Sequence, residues 1–518
     1  MRIGLLHGWL LDGSGSNIYV RELARALREL GHEVHVLCQE PHPERFPQSG
    51  RIHVPAIDRR LMPVYVADTE YEGFAEVRAF SQLVGDPRLE TYLADFAAGA
   101  ARVCRQENIE VLHANHVYPM PEIARRVKEQ TGVPFLVFPH GSAIEYALKQ
   151  SPELAACAAR SIDAADALVV GNHTVSERIF RLFPDHAAAW RKKHSIVPVG
   201  VDAALFAPVA RAERDRIGER LAAGGMEPGG RTREMTRSLL ARRFATDQML
   251  VQAADMARSE YAHKAPDGDL LDKLSPVDWA GEKVLLYAGK LIVGKGVHDL
   301  LAALPEVLER HPRTTLFIVG EGPFREALEL LLGALGAGDR ELLKRIIRLG
   351  GALSRQPGVS LANVAAYAER IGWDRWLDLG RRTKPLEKVV FTGYLKHALY
   401  RHLLPCADIA VFPSEVAEAY PLVLLESISA GVLPVAADFE GLGEGLDAIA
   451  GHLPPEIGPC LRIAVQPERR IASMVDSLNG LLAREPDWRG PCRELAAAEY
   501  SWETAARRMA EVYRRLVP

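Results

Sequence analysis

The stretch VFPSEVAEAYPLVLLESISAGVLPVAAD, residues 411–438, decides how this chain is read. Val411 and Phe412 close an apolar run that reads as a buried strand, and Pro413 and Ser414 break it. Pro421 suits the first position of a helix, where its missing N–H costs nothing, and Gly431 is a natural C-terminal stop. Glu418 then falls in the loop and Glu426 in the second helical turn, while the N–H groups of Leu422, Val423 and Leu424 point into the same crevice. A helix start attracts phosphate. With a carboxylate on either side of it, the layout suits a ligand that is both anionic and polyhydroxylated.

Outward from this stretch, short apolar runs alternate with amphipathic patterns. Ile3–Leu6, Glu33–Leu37, Val111–His113, Phe135–Phe138, Ala167–Val170 and Ser195–Val199 read as strands, with helices such as Tyr19–Leu30, Glu122–Glu129 and Glu153–Ala165 between them. A second series runs through Val284–Ala288, Thr315–Val319, Val389–Thr392, Ile409–Phe412, Val432–Ala436 and Arg462–Val465. The pattern predicts an α/β protein of two doubly wound, Rossmann-like parallel-sheet domains in tandem. Such sheets bind ligands beyond the carboxyl ends of their strands. Gly8–Ser16, His140, Lys290 and Glu418 all fall there.

Composition fits this reading. A chain of 518 residues is too long for one core and calls for two or three domains. Charged residues make up 25% and the formal net charge is −4, so bulk charge gives no case for nucleic acid. The six cysteines, Cys38, Cys104, Cys157, Cys406, Cys460 and Cys492, lack C-x-x-C spacing and read as reduced thiols of a cytoplasmic protein. The opening MRIGLLHGWLLDGSGS is broken by Gly4, His7 and Gly8 and reads as a first strand rather than a signal peptide. No apolar run reaches the ~18 residues of a membrane span, which leaves peripheral attachment open.

Two segments interrupt the alternation. Residues 209–280 contain GGMEPGG (Gly224–Gly230) and a helical stretch around Arg231–Lys264. Nine arginines outnumber five acids between Arg211 and Arg243, which reads as a solvated helix face or as a contact for a phosphorylated acceptor, an anionic membrane or a partner. Asp267-Gly268-Asp269 in this segment has no strand before it and reads as a turn, not a metal-binding D-x-D. A second interruption, about 337–386, carries Trp373 and Trp376 on one helix face, either a partner surface or a local core.

EAYPLVLLE, Glu418–Glu426, resembles the E-x7-E signature of the retaining GT-B glycosyltransferases of family 4, usually written EGFGLVLLE. The flanking AD-x-A-x-FPS (Ala407–Ser414) and Gly-x-x-Pro-Val (Gly431–Val435) are also typical of that family, and the resemblance covers most of the chain outside the two insertions. It implies a GT-B fold whose two domains face one cleft. Residues 1–205 would form the acceptor-side domain, with the terminal helix 501–518 packing back on it. Residues 206–283 would be a linker with a helical insertion, and 284–500 the nucleotide-sugar domain carrying the insertion 337–386.

The resemblance also implies the activity: metal-independent, retaining transfer of a hexose from a nucleotide-diphosphate sugar to a hydroxyl of a small molecule, glycan or lipid-linked acceptor. Glu426 would bind the ribose, and Glu418 with the following residues Tyr420, Pro421, Leu422 and Val423 the donor sugar. GKLIVGKGV (Gly289–Val297) matches the pattern GRL-x-x-x-KG, so Gly289, Lys290 and Lys295 would meet the diphosphate, with lysine at 290 where arginine is usual. Lysine keeps the charge but loses the planar fork. The glycine-rich Gly13-Ser14-Gly15-Ser16 would lie under the diphosphate, and His140 would touch the donor sugar. Asn115, His116 and Tyr118 form a strand-end cluster that would line the acceptor side.

Other readings remain. Gly289-x-x-x-x-Gly294-Lys295 nearly spells an NTPase phosphate loop, but Gly296 stands where a magnesium-binding Ser or Thr is needed. A disaccharide phosphorylase of the same family would use free phosphate. A catalytically silent GT-B protein would act through its insertions, which also offer surfaces for oligomerisation.

Overall fold

A parallel sheet is covered on both faces, so its central strands are mostly apolar. Two such sheets form here. The computed structural model describes residues 1–65, 71–356, 358–418, 422–485 and 488–517. These divide into two compact units, Met1–Val201 with Ala498–Pro518, and Asp202–Ala497.

The first unit contains β1 (Arg2–Leu6), β2 (Glu33–Leu37), β3 (Arg51–His53), β4 (Met62–Val64), β5 (Val77–Ala79), β6 (Val111–Asn115), β7 (Phe135–Phe138), β8 (Ala167–Val170) and β9 (His194–Ile196). Seven of these form one sheet in the order β3-β2-β1-β6-β7-β8-β9, all parallel, while β4 and β5 pair separately. The second unit holds β10 (Lys283–Ala288), β11 (Thr314–Val319), β12 (Val389–Gly393), β13 (Ile409–Phe412), β14 (Leu433–Ala437) and β15 (Arg462–Ile463), in the order β12-β11-β10-β13-β14-β15. Each sheet grows one way from its first strand and then reverses. The reversal lies between β1 and β6 in one unit and between β10 and β13 in the other, and a doubly wound sheet binds ligands at such switch points. The fold is the expected one, two Rossmann-like sheets flanked by helices.

Several boundaries differ from the sequence reading. The first helix runs Gly15–Glu29, four residues earlier than expected, because Ser14 accepts the Asn17 N–H as its N-cap. The strand expected at Ser195–Val199 is His194–Ile196. The short strands β3, β4 and β5 carry no period in the sequence, and the helix Pro87–Gln106 went unread although Leu89, Tyr92, Leu93, Phe96, Ala97, Ala100, Ala101 and Cys104 recur at helical spacing. The terminal helix is Trp502–Leu516, capped by Ser501, and belongs to the first unit. Its Tyr513 hydroxyl lies 2.7 Å from His113 Nδ1 on β6, and a side chain at Gly200 would strike the Trp502 backbone. All six cysteines are unpaired, and among the described residues no helix is long and apolar enough to cross a membrane.

The arginine-rich segment is not one solvated face. Arg214 and Arg231 are 1% and 0% exposed, each with a carboxylate partner. Nor is Asp267 part of a simple polar turn. Fully buried, it takes both Arg325 nitrogens at 2.6 and 2.7 Å and Lys273 at 2.5 Å. Arg231 reaches Glu329 at 2.8 Å, and Arg325 bonds the same glutamate, so the inserted helices are tied to the helix Arg325–Ala337 by buried ion pairs. In the second insertion Trp376 is fully buried and donates to the Ala302 carbonyl at 3.1 Å, which makes that part of the aromatic pair local core.

Removing one partner of a buried pair strands the other. Asp267→Asn leaves Arg325 and Lys273 short of charge, and the second unit should lose about 3–5 kcal/mol in denaturant unfolding. A loss below ~1 kcal/mol, the worth of a surface pair, would contradict this account.

Candidate functional site

In the second unit the two strands at the switch point end in loops that touch. After β10 the chain passes through Gly289 and the exposed Lys290 to a turn at Val293–Lys295 and the helix Val297–Arg310. After β13 it passes Pro413 and Ser414. Gly296 has φ +67°, and a side chain there would collide with the Pro413 carbonyl oxygen, so neither loop could approach the other if this residue were Ser or Thr. The contact removes the phosphate-loop reading on steric grounds. Asp408, at the start of β13, accepts from Arg214 and Arg489 at 2.8 and 3.0 Å and from the Val284 N–H at 2.9 Å, and so is spent as a structural anchor.

The loop contact brings predicted residues together. Lys295 Nζ is ion-paired with Glu418 Oε1, although 123 positions separate the two residues. The Ser414 hydroxyl lies 3.1 Å from the same carboxylate oxygen and 3.0 Å from the Val416 carbonyl. The Glu415 N–H donates to the Gly294 carbonyl at 2.8 Å, and the Tyr287 hydroxyl donates to the Lys290 carbonyl at 2.9 Å. Tyr420 and Pro421 lie outside the described residues. Leu422 and Val423 are half-buried at the start of the helix Leu422–Ser429, whose Glu426 is 7% exposed. Glu426 Oε1 lies 2.9 Å from His397 Nε2, and the His397 ring packs edge-on to Phe206. Gly431 has φ +70°, the left-handed stop expected of it.

Beneath these residues lies an ionic cluster that the sequence reading missed. Arg470, 2% exposed, donates from Nε to Asp299 at 2.7 Å and from Nη2 to the carbonyls of Pro413 and Ser414 at 2.5 and 3.0 Å. Asn363, from the second insertion, donates to the same Asp299 oxygen at 3.0 Å. His298 Nε2 lies 3.1 Å from Glu415 and 3.4 Å from Asp299. Burial alone would lower this imidazole, but the two carboxylates outweigh it and hold its pKa above the ordinary value. The ligand-type atoms of His298, Asp299 and Glu415 lie within 4.8 Å of one another, yet Arg470 already pairs with Asp299 there. His397 follows the end of β12 and was findable as a strand-end residue. Asn363 carries no such signal.

The first unit places its candidates at its own switch point. Gly13 and Gly15 are exposed, and Ser14 caps the first helix. His140 Nε2 lies 3.0 Å from Asn115 Oδ1, and Asn115 Nδ2 donates to the Leu6 carbonyl at 3.1 Å. The His116 ring lies 4.5 Å from His140, tilted by 49°, and stacks 6.0 Å from His7, which is bonded to Asn17 at 2.9 Å. Asn115, His116 and Tyr118 are all buried. Desolvation lowers His116 and His140 and brings His7 down to about 4, so the three imidazoles are neutral at pH 7. This side of the protein offers hydrogen bonds without charge.

Residues 14–200 match the glycosyl transferase 4-like domain, and residues 277–343 and 378–448 match glycosyl transferases group 1, with a break across the second insertion. A glycogen synthase of Mycobacterium tuberculosis is 28% identical over 236 residues, 45% of this chain, and the match spans only 42% of that enzyme's length. A D-inositol 3-phosphate glycosyltransferase of Corynebacterium jeikeium is 22% identical over 98% of this chain and 93% of its own. The crystal structure of Anabaena HepE in complex with UDP and glucose shares the fold, with a TM-score of 0.55 and 12% identity over 99% of this chain and 100% of that one. Matched in both units on either side of its insertions, the chain belongs to the group 1, family 4-type glycosyltransferases of GT-B fold.

Proposed function

We propose that the protein transfers a hexose from a nucleotide-diphosphate sugar to an acceptor hydroxyl, with retention of anomeric configuration and without a catalytic metal. The observation that carries this reading is the meeting of Lys295, Ser414 and Glu418 at the switch point of the second unit, with the Glu426–His397 pair on the neighbouring helix. The relatives named for glycosyl transfer, and the shared fold of a protein crystallised with UDP and glucose, support the same class of donor.

In this mechanism the bond from the anomeric carbon to the diphosphate oxygen breaks as the acceptor oxygen bonds to the same face of the sugar. The acceptor proton passes to a phosphate oxygen of the departing nucleoside diphosphate. Charge growing on that diphosphate needs a fixed counter-charge. Lys295 and Lys290 supply it, and Gly289 lets the backbone approach. Glu426 takes the ribose hydroxyls, and Glu418 with the start of its helix takes the sugar hydroxyls. The glycine-rich turn Gly13–Ser16 and His140 add neutral contacts to the donor, with Asn115, His116 and Tyr118 supporting the acceptor side. The Lys295–Glu418 pair is then a resting state that the donor splits, lysine turning to phosphate and glutamate to the sugar.

Lys295→Ala should cost about 3–4 kcal/mol of transition-state stabilisation, measured as kcat/KM with the active donor. That donor is found by thermal unfolding with UDP-, GDP-, ADP- and TDP-hexoses, since ligand at ~100 Kd stabilises by about 2.7 kcal/mol. Turnover above a tenth of wild type in Lys295→Ala would remove the lysine from the mechanism. Absence of any donor shift would favour a silent binder.

Glu418→Gln separates two effects. It should lower kcat about 100-fold through the lost sugar contact, while nucleoside diphosphate, no longer competing with a carboxylate for Lys295, binds several-fold more tightly. Weaker diphosphate binding in this variant would contradict the resting-state pair.

His298 sets a pH dependence. A proton held more tightly in the folded chain contributes stability that is complete below the ordinary imidazole pKa and is lost as pH rises through the raised one. Unfolding free energy should therefore fall as pH rises from the ordinary imidazole pKa through the raised one in the wild type, and fall less over that range in His298→Gln, measured by denaturant unfolding.

A further inference from the structure

The outer edge of the first unit's sheet holds a second cluster of polar side chains, unconnected to the transfer chemistry. Side chains alternate along a strand, so Glu33 and His35 of β2 share one face. The parallel register pairs His35 with Arg51 and Leu37 with His53, which puts Arg51 and His53 of β3 on that same face. Glu107, the residue that ends the helix Pro87–Gln106, joins them there.

His35 is fully buried, and its Nδ1 lies 3.0 Å from His53 Nε2. One ligand atom from each of His35, His53 and Glu107 falls within 4.8 Å of the others. Two nitrogens bound tetrahedrally to zinc at ~2.0–2.1 Å lie roughly 3.3 Å apart, so the histidines are already near ligand spacing. The other nitrogen of His35, Nε2, faces Glu33 at 3.4 Å. A carboxylate there favours the proton on Nε2 and leaves the Nδ1 lone pair directed at His53, the second-layer arrangement that orients a metal-bound imidazole. Arg51 holds Glu107 at 2.8 Å and lies 3.6 Å from Glu33. Two carboxylates against one guanidinium leave a net charge of −1 around the neutral imidazoles.

We propose that His35 Nδ1, His53 Nε2 and a Glu107 carboxylate oxygen form a binding site for a divalent first-row transition ion of the zinc type, with water completing the coordination. Two imidazoles and one carboxylate suit zinc, cobalt or nickel better than magnesium or calcium, which take oxygen ligands. The ion would pin the short edge strand β3 to β2 and to the end of a long helix. Its role is structural, and it is independent of how the sugar is transferred.

The test uses the full chain without a histidine tag, stripped with chelator and titrated with zinc by calorimetry and with cobalt by visible absorption. One equivalent should bind, with the intense absorption of tetrahedral cobalt and a rise in Tm with zinc. His53→Gln and Glu107→Gln, both at partly exposed positions, should each abolish stoichiometric binding, and Glu33→Gln should weaken it about tenfold. Unfolding curves without metal show whether each variant is folded. If His53→Gln is not, Glu107→Gln decides alone. Failure of the wild type to bind one equivalent, or full-affinity binding in the folded variants, would leave a plain histidine–histidine hydrogen bond and overturn the site.

Discussion

The Arg470 guanidinium fixes the distance between the two loops on which the second unit's site is built. It reads the carbonyls of Pro413 and Ser414 on one side and the Asp299 carboxylate on the other. The two loops come from adjacent strands, and each begins where its sheet hydrogen bonds stop, so carbonyls in this region lose their ladder partners. A buried carbonyl without a donor costs about 1–3 kcal/mol. Arg470 supplies donors to both at once, and Gly296 allows the approach because it has no side chain to meet Pro413. The positions of Lys295, Ser414 and Glu418 follow from that contact.

The two units solve the problem of polar groups at a strand end differently. The second unit neutralises charge with charge: Arg470 with Asp299, His298 with Glu415, Lys295 with Glu418. The first unit avoids charge by burying His7 and His116, with His140 half-buried beside them, as neutral rings among Trp9, Tyr65 and one another. A diphosphate needs cations, whereas hydroxyl groups need donors and acceptors that do not repel a forming anion. The chemical division matches the division of labour proposed for the two units.

Much of the fold was legible because buried parallel strands announce themselves. Phe135–Phe138, Ala167–Val170 and Ile409–Phe412 are apolar runs between helical patterns, and the structure has strands at those residues. The three-residue strands β3, β4 and β5 were not legible, since a segment that short has no period to read. Gly296 and the pair Glu418/Glu426 could be picked out because fixed local spacing marks them. Arg470, Asp299 and Asn363 could not, because their meaning is a contact across 171 and 64 positions, and nothing near any of them in the sequence signals its partner. The arginine-rich segment misled for the same reason. Composition distinguishes a charged stretch from an apolar one, but not Arg231 buried against Glu329 from an arginine in water.

The insertions are therefore more than additions to a finished domain. The first is fastened through Asp267, Arg325, Arg231 and Glu329, four charges buried with their partners. The second sends Asn363 to the Asp299 oxygen that Arg470 also holds, so one residue of the inserted helix Ala362–Ile371 bonds the carboxylate beneath the loops after β10 and β13. Buried ionic contacts are unforgiving, because a missing partner leaves a desolvated charge behind. Cutting out either segment would strand Arg325 and Glu329, or leave Asp299 short of a donor. Asn363 thus ties the second insertion to the ionic cluster that holds the loop after β13, while the first is tied to the helix Arg325–Ala337 through ion pairs of its own.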